Sequence, residues 1–479
     1  MSVQIFLLGK ILGIEEFLFS ATAARTEDER ALVGRSHWVT LLSEILPRAL
    51  LAELGLAKLL LGSSGGGQFL VVLPDEARDA AGEFLRTAAE EIESLSQGEL
   101  KLVWASTENL GDWTVVRKRL NEEMDRQRQS PALAVGAHFF EPFQQADAPA
   151  GAEEYFVDEL VVKLRENSVV GWSAETPGRV LVGAGKHTWS LGSGLDAIPF
   201  AGHAAPDDSG AAPADRMLMA SRSEGSPRWG VLRGDVDNFG IRLRRAQSIE
   251  EHVQLSVIYK QFFAGELEVA CSMPEFWRKV AILYSGGDDF AVYGAWDALL
   301  ILGAGIQRMF HRLSEENLKD FPGPEGKTIS MALALAPEPG TSLAAVYQEA
   351  GRKLEIAKAN EKDSFYVLSR TLAWRLLPSA SELKDNLSRM VREFGCPAQF
   401  LDEIASFYKE TPRLRDITFE KPWRLHRRLN RVVGLSREKD FQKLRNQVFQ
   451  ELVGKGGGQR KLKPTGRVAL EWAKLAIGD

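Results

Sequence analysis

The sequence has little cysteine: Cys271 and Cys396 are the only two in 479 residues, far apart in the chain. That excludes a four-cysteine zinc site and a disulfide framework, and it fits a reducing compartment. Apolar runs long enough to cross a bilayer are missing as well. The opening residues, MSVQIFLLGKILGIEEF, carry neither a basic leader nor a small-residue cleavage site. They read as a first strand and helix, and the expected location is the cytoplasm. With 44% hydrophobic and 26% charged residues the chain has an ordinary globular composition, and its length calls for three or four units. The net charge of -6 conceals an asymmetry. Residues 371–479 hold 22 Lys and Arg against 13 Asp and Glu, so the last quarter is basic and the first 370 residues are acidic. A basic face of this kind suits a polyanion, or simply a solvated helical surface.

What stands out is residues 279–294, KVAILYSGGDDFAVYG. Two apolar runs flank Ser285-Gly286-Gly287 and the adjacent acids Asp288 and Asp289. This pattern predicts a β-hairpin whose glycines supply turn angles that other residues reach at a cost. Val280, Ile282 and Tyr284 alternate with Ala281 and Leu283, so the entering strand is apolar on both faces and is expected in the middle of a sheet. Adjacent acids repel. They suit a divalent cation with hard oxygen ligands, Mg²⁺ or Mn²⁺, which also holds nucleotide phosphates; an Asp-rich turn is the plain alternative.

The first 130 residues predict strand, helix, strand, strand, helix, strand. Strands fall at 2–9, 56–61, 68–73 and 100–105, and helices at 34–54, 75–96 and 113–128. Residues 131–228 read as a small linking domain; within it 153–165 is helical, 169–172 and 179–182 are short strands, and 201–227 is a linker or mobile loop. Residues 229–370 repeat the first pattern: a strand at 229–236, a helix at 248–270 with Val253, Val257, Ile258, Phe262 and Leu267 on its apolar side, and the hairpin. A helix at 296–313, a strand at 328–336, a helix at 342–359 and an edge strand at 365–368 complete it. Residues 371–479 predict a helical bundle, with a basic glycine loop at 455–463 of a kind that follows a phosphate backbone.

The repeat is visible residue by residue. Ser64-Gly65-Gly66-Gly67-Gln68-Phe69 matches Ser285-Gly286-Gly287-Asp288-Asp289-Phe290, and the stretch from Gly9 to Ile14 matches that from Gly234 to Ile241. The copies differ where chemistry would lie: Lys10, Gly67 and Gln68 stand where the second copy has Asp235, Asp288 and Asp289. A lysine ammonium cannot ligate a cation, so the first copy is expected to be metal-free and the second to react. A strand bearing Asp235 beside a hairpin tipped by Asp288 and Asp289 brings three carboxylates to one edge, as two-metal joining of nucleotides requires. Lys358 and Lys362, with Arg352 and Lys353 a turn earlier, are the cations available for a triphosphate.

GDVDNFG, YSGGDDF with VYGAWD, and LEIAK resemble the second palm of the large subunit of type III CRISPR effector complexes, the cyclic-oligoadenylate-forming polymerase. LGKILGIEEFLF, LVGRSHW and SSGGGQFLVVLP resemble its first palm. The resemblance covers most of the chain in the family's own order. It implies an α+β fold of two ferredoxin-like (βαββαβ) palms forming a pseudo-dimer, with a linking domain and a helical C-terminal domain. It implies ATP as substrate, cyclic or linear 3′–5′ oligoadenylates as product, and two divalent metals, Mg²⁺ or Mn²⁺, on Asp235, Asp288 and Asp289. Ser285, Gly286, Gly287 and Lys358 would contact nucleotide, and Ser64, Gly65 and Gly66 would line a second ATP site. The implied partners are the other effector subunits, crRNA and target RNA, with no membrane. None of the seven histidines adjoins an aspartate, so an HD nuclease is not expected, and the family's cysteine-rich zinc element is missing. Glu361 and Asp363 stand where glycine and asparagine are common in the family. Two alternatives stay open: a catalytically silent scaffold subunit, and a GGDEF-type dinucleotide cyclase.

Overall fold

A computed structural model describes residues 3–19, 29–129, 152–192, 194, 196–410, 427, 438–456 and 459–478. Strands β1 (Gln4–Leu12), β2 (Leu61–Gly65), β3 (Gln68–Pro74) and β4 (Lys101–Glu108) form an antiparallel sheet in the order β2-β3-β1-β4. With the helices Glu29–Glu53 and Arg78–Leu95 between them, this is the expected βαββαβ unit. The hairpin is tighter than the sequence pattern suggested. Its entering strand is Leu61–Gly65, not 56–61, because Gly62, Ser63 and Ser64 are themselves extended and only Gly66 and Gly67 make the turn. The helix Glu29–Glu53 is buried around most of its circumference, since it packs on the first sheet, on the linking segment and on the second unit together.

The linking segment holds β5 (Val169–Trp172), β6 (Leu181–Val182) and β7 (His187–Ser190) in the order β6-β5-β7, beside a wide-turn helix, Tyr155–Lys163. Residues 201–227, expected to be a linker or mobile loop, are instead packed. Ala201, Ala205, Ala214, Met219 and Ala220 are buried, and Arg216–Ser221 is helical with Asp215 as its cap. Small residues read as linker composition here serve close packing.

The second unit contains β8 (Trp229–Val236), β9 (Val280–Ser285), β10 (Asp289–Ala295), β11 (Ile329–Leu335), β12 (Ser364–Val367) and β13 (Arg370–Ala373), ordered β13-β12-β11-β8-β10-β9. Its β11-β8-β10-β9 part has the strand order of the first sheet. Residues 365–368 are not the edge, because β13 pairs outside β12. Nor is β9 central, although it is buried on both faces. It is the last strand of the sheet, and its free side is covered by residues 203–205: the Ala205 amide donates to the Val280 carbonyl, and the Ile282 amide to the His203 carbonyl. Of the expected apolar side, Phe262 and Leu267 are buried and Ile258 packs against the core, but Val257 on the helix Ile249–Gln261 is 55% exposed, and Leu255 and Tyr259 face the core as well.

One face of the second sheet packs in its own core with the helices Ile249–Gln261 and Trp296–Asn317, through Leu232, Ile282, Phe290 and Val292. The other face, with Val231, Leu283, Ala291 and Tyr293, joins the core of the first unit. The C-terminal residues add the helices Leu377–Arg392, Gln399–Glu410, Lys439–Leu452 and Pro464–Ile477, and also a strand pair, Val453–Gly456 with Gln459–Leu462. The expected basic glycine loop is therefore the site of a hairpin; Gly457 and Gly458 lie outside the described residues. Val468, Trp472 and Ala476 of the last helix enter the second unit's core, while Ala469, Leu470 and Ala473 face the bundle.

Candidate active site

Asp235 and Asp289 lie on the sheet face that meets the first unit. Asp289, the first residue of β10, pairs directly across from Asp235 on β8, so their side chains leave the same face as neighbours. The Val236 amide donates to the Asp288 carbonyl at 2.9 Å, and the Gly286 amide to the Asp289 carbonyl at 2.8 Å, which closes the hairpin. Ser285 anchors the turn from below, its hydroxyl donating to the buried Phe263 carbonyl at 2.6 Å.

Gly286 and Gly287 do not adopt left-handed angles, contrary to the sequence expectation; Gly65, Gly66 and Gly67 of the first hairpin do, with φ of 120°, 60° and 73°. Glycine at 286 leaves room for the Asp289 carboxylate. A Cβ there would lie 2.8 Å from Asp289 Oδ1 and 3.7 Å from the Cα of Gly66.

Lys358, in the last turn of the helix Leu343–Asn360, places Nζ 2.8 Å from Asp235 Oδ1. Lys362 bonds instead to the Asn238 side chain. Arg352 pairs with Glu349 and, with Lys358, lines a cavity of about 420 Å³ that also takes in Glu15, Arg233, Asp235 and Asp289. A second cavity of about 260 Å³ lies between the units, lined by Glu15, Gly66, Tyr284, Ser285, Gly286 and Tyr347 among others. A larger one, about 700 Å³, lies between the helix Glu29–Glu53 and the linking segment, but none of the three acids reaches it.

Ser64 has a different environment. Its hydroxyl donates to Glu44 Oε2 at 2.8 Å, and the same oxygen receives Lys260 Nζ at 2.6 Å and Arg48 Nη1 at 2.8 Å. Glu44 is 3% exposed. Burial opposes its ionisation, yet Lys260 and Arg48 hold its carboxyl below the usual range. Lys260 is pushed down, because burial and the neighbouring Arg48 outweigh one shared carboxylate.

Four contributors to the site went unread in the sequence. Asp237, two residues after Asp235, is buried and structural: it accepts from Thr328 Oγ1 at 2.7 Å, Ser330 Oγ at 2.8 Å and the Asp363 amide at 3.0 Å. Tyr284 donates to Asp289 Oδ2 at 2.7 Å. Arg233 lies 4.0 Å over the ring of Tyr347. The period-two alternation puts Arg233 and Asp235 on one face, a signal that was available; the tyrosines depended on long-range packing.

Three carboxylates share this edge with few cations. Burial, then Asp289 and Asp235, push Asp288 up to about 8; burial is also the main cause that raises Asp235 and Asp289. Among the described residues no three His, Cys, Asp or Glu side chains are gathered closely enough to hold a metal ion as they stand. Asp235 is turned to Lys358 and Asp289 to Tyr284. The donor set nonetheless fits Mg²⁺ or Mn²⁺: hard carboxylate oxygens, two of them on directly paired strands.

Strand order and acids define a polymerase-type palm preceded by a second unit of the same strand order. A family model for the Cas10/Cmr2 second palm domain matches residues 228–366, and one for Csm1 subunit domain B matches residues 3–133. The chain belongs to the Cas10/Csm1 family, the large subunits of subtype III-A CRISPR systems. A curated relative from Enterococcus italicus, named a CRISPR system single-strand-specific deoxyribonuclease Cas10/Csm1, is 28% identical over 164 residues, 33% of this chain and 20% of the relative. The match thus spans only a fifth of that protein's length. A Csm1-Csm4 cassette solved in complex with cA3 has a TM-score of 0.72 at 16% identity, covering 99% of this chain and 70% of that one. Csm1 of T. onnurineus gives 0.70 at 16%, with 100% and 70% covered. At these identities the structures speak for the fold. No helix among the described residues is long and apolar enough to cross a membrane.

Proposed function

We propose that this chain is an ATP-dependent nucleotidyltransferase that forms cyclic or linear 3′–5′ oligoadenylates within a type III CRISPR ribonucleoprotein, activated by target RNA in antiviral defence. The single observation that carries this reading is the cross-strand pair Asp235 and Asp289, with Lys358 2.8 Å from Asp235, in the one unit of the repeat that has acids. The cassette solved with cA3 shares the fold and so supports the product class. The two units act as a pseudo-dimer, with one ATP at the acids and a second toward Ser64, Gly65 and Gly66. The other effector subunits, crRNA and target RNA are the partners, and the basic last quarter is the surface for RNA.

In the reaction the 3′-hydroxyl of one adenylate forms a bond to the α-phosphorus of the next, the bond to the β-phosphate oxygen breaks, pyrophosphate leaves and the hydroxyl proton passes to water. Mg²⁺ or Mn²⁺ held by Asp235, Asp288 and Asp289 would activate the hydroxyl and offset charge on the leaving group. Lys358 neutralises phosphate from the helix side, Gly286 and Gly287 let the nucleotide approach the backbone, and Ser285 keeps the turn fixed. The cavity between the units shelters the reacting groups from bulk water.

The test is a mass spectrum of products from the assembled complex with ATP, Mn²⁺ or Mg²⁺ and target RNA. Short oligoadenylates are expected. No product with either metal would leave a silent scaffold, and consumption of GTP in preference to ATP would point to a dinucleotide cyclase.

A further inference from the structure

Asp289 is gripped by a group outside the acid set, and that group is tied to the first unit. Tyr284 stands on β9 opposite Ala291, hence on the same face as Asp289 and Arg233. Its hydroxyl donates to Asp289 Oδ2 at 2.7 Å, and its half-buried ring lies against Tyr347, ring centroids 6.0 Å apart. Tyr347 is held on both sides. Arg233 lies 4.0 Å over its ring, with Glu15 of the first unit 3.9 Å from that guanidinium. Phe19, at the end of the first-unit helix Ile14–Phe19, stacks on the same ring at 3.6 Å with planes 14° apart.

A carboxylate held by one hydroxyl can rotate about its own bonds only by breaking that bond, and a phenol has two rotatable torsions. Tyr284 meets Tyr347 edge to face with planes 66° apart, so a displacement of Tyr347 is passed to Tyr284 through that contact. We infer that Tyr284 is the positioning residue for Asp289, and that the stack of Phe19 on Tyr347 makes the position of this carboxylate depend on the first unit. The first unit would then do more than line a second nucleotide site: it sets a ligand of the second. This inference rests on the proposed reading of Asp289 as a metal ligand.

The test uses the full chain, with Mn²⁺ alone as the probe, and reads free Mn²⁺ by electron paramagnetic resonance. Tyr284→Phe removes only the hydroxyl, and Phe19→Ala removes the stack while lying outside the acid set. Wild type is expected to bind Mn²⁺, and Tyr284→Phe to bind it about 10- to 100-fold more weakly, the scale of losing a partner that orients a metal ligand. Phe19→Ala should shift binding in the same direction by a smaller factor. In the assembled complex, the Mn²⁺ concentration for half-maximal product should rise in both variants with the KM for ATP unchanged. Two folded variants that bind Mn²⁺ as wild type does would overturn the inference and leave the proposed activity standing. A rise in the KM for ATP alone would also overturn it, making Tyr284 a nucleotide contact. A folded wild type that binds no Mn²⁺ would remove the reading and the inference together.

Discussion

Gly66 and Gly287 bring the two hairpins of the repeat into contact: a Cβ on Gly66 would stand 2.9 Å from the Gly287 amide nitrogen. The hairpin without acids is thus pressed against the turn that carries them. Gly66 also has φ 60°, so Gly66→Ala meets both strain and collision. It is expected to lower stability by roughly 1–3 kcal/mol and to reduce product. Gly82→Ala, in the helix Arg78–Leu95 with open space around it, is the control. It should stabilise by about 0.5–1 kcal/mol, as alanine does for a helix interior. Urea unfolding of both variants decides the matter, and equal stabilities would contradict it.

The Glu44 cluster joins the units, since Lys260 belongs to the second and Glu44, Arg48 and Ser64 to the first. Its folded carboxyl titrates below its ordinary 4.5, so its contribution is complete above that value and is lost as pH falls through the lower folded one. Glu44→Gln leaves Lys260 buried without its anion and should cost about 3–5 kcal/mol at neutral pH. Below pH 4.5 the gap between variant and wild type should narrow. Removing Lys260 as well should restore part of the loss. A constant gap from neutral to acid pH would show that the charge is not what matters.

Asp237 and Asp288 are acids of opposite kinds. Asp237→Asn disturbs two hydroxyl bonds and an amide bond, and should lower stability by about 1–3 kcal/mol. Asp288→Asn removes a carboxyl whose ionisation burial opposes first and Asp289 and Asp235 second, so it should raise the melting temperature in metal-free buffer while product formation is lost. Melting curves in chelator, beside product assays, separate the two. A destabilised Asp288→Asn would mean that the carboxylate holds the fold.

Lys358 and Lys362 were both candidates in the sequence, with Lys358 the one the resemblance placed at the nucleotide, and they are unequal in space. Lys358→Met should reduce kcat/KM roughly 100-fold, as loss of a preorganised charge at a reacting centre does. Lys362→Met should have a much smaller effect, because its ammonium is engaged with Asn238 at the edge of the site. Steady-state kinetics on ATP check this, and the reverse ranking would refute the assignment.

Much of this organisation was legible because it depends on local pattern. The repeat placed both βαββαβ units, and the strand order of such a unit put Asp235 on the strand beside the hairpin. What could not be read came from long-range packing. Residues 201–227 have the composition of a linker, yet their small side chains allow them to close the edge of β9. Gly286 looked like a turn glycine, whereas its small size leaves room for the Asp289 carboxylate. Tyr284 was counted among apolar strand residues, since nothing nearby in sequence shows that its hydroxyl reaches Asp289.

The central claim is that the acids of the second hairpin join adenylates. The most direct measurement compares wild type with the double variant Asp288→Asn/Asp289→Asn, each assembled with its sister subunits, crRNA and target RNA, given labelled ATP with Mn²⁺, and analysed by mass spectrometry. The account predicts short 3′–5′ oligoadenylates from wild type and none from a variant that assembles equally well. Equal product from both, or none from a wild type that assembles and binds target RNA, would contradict it.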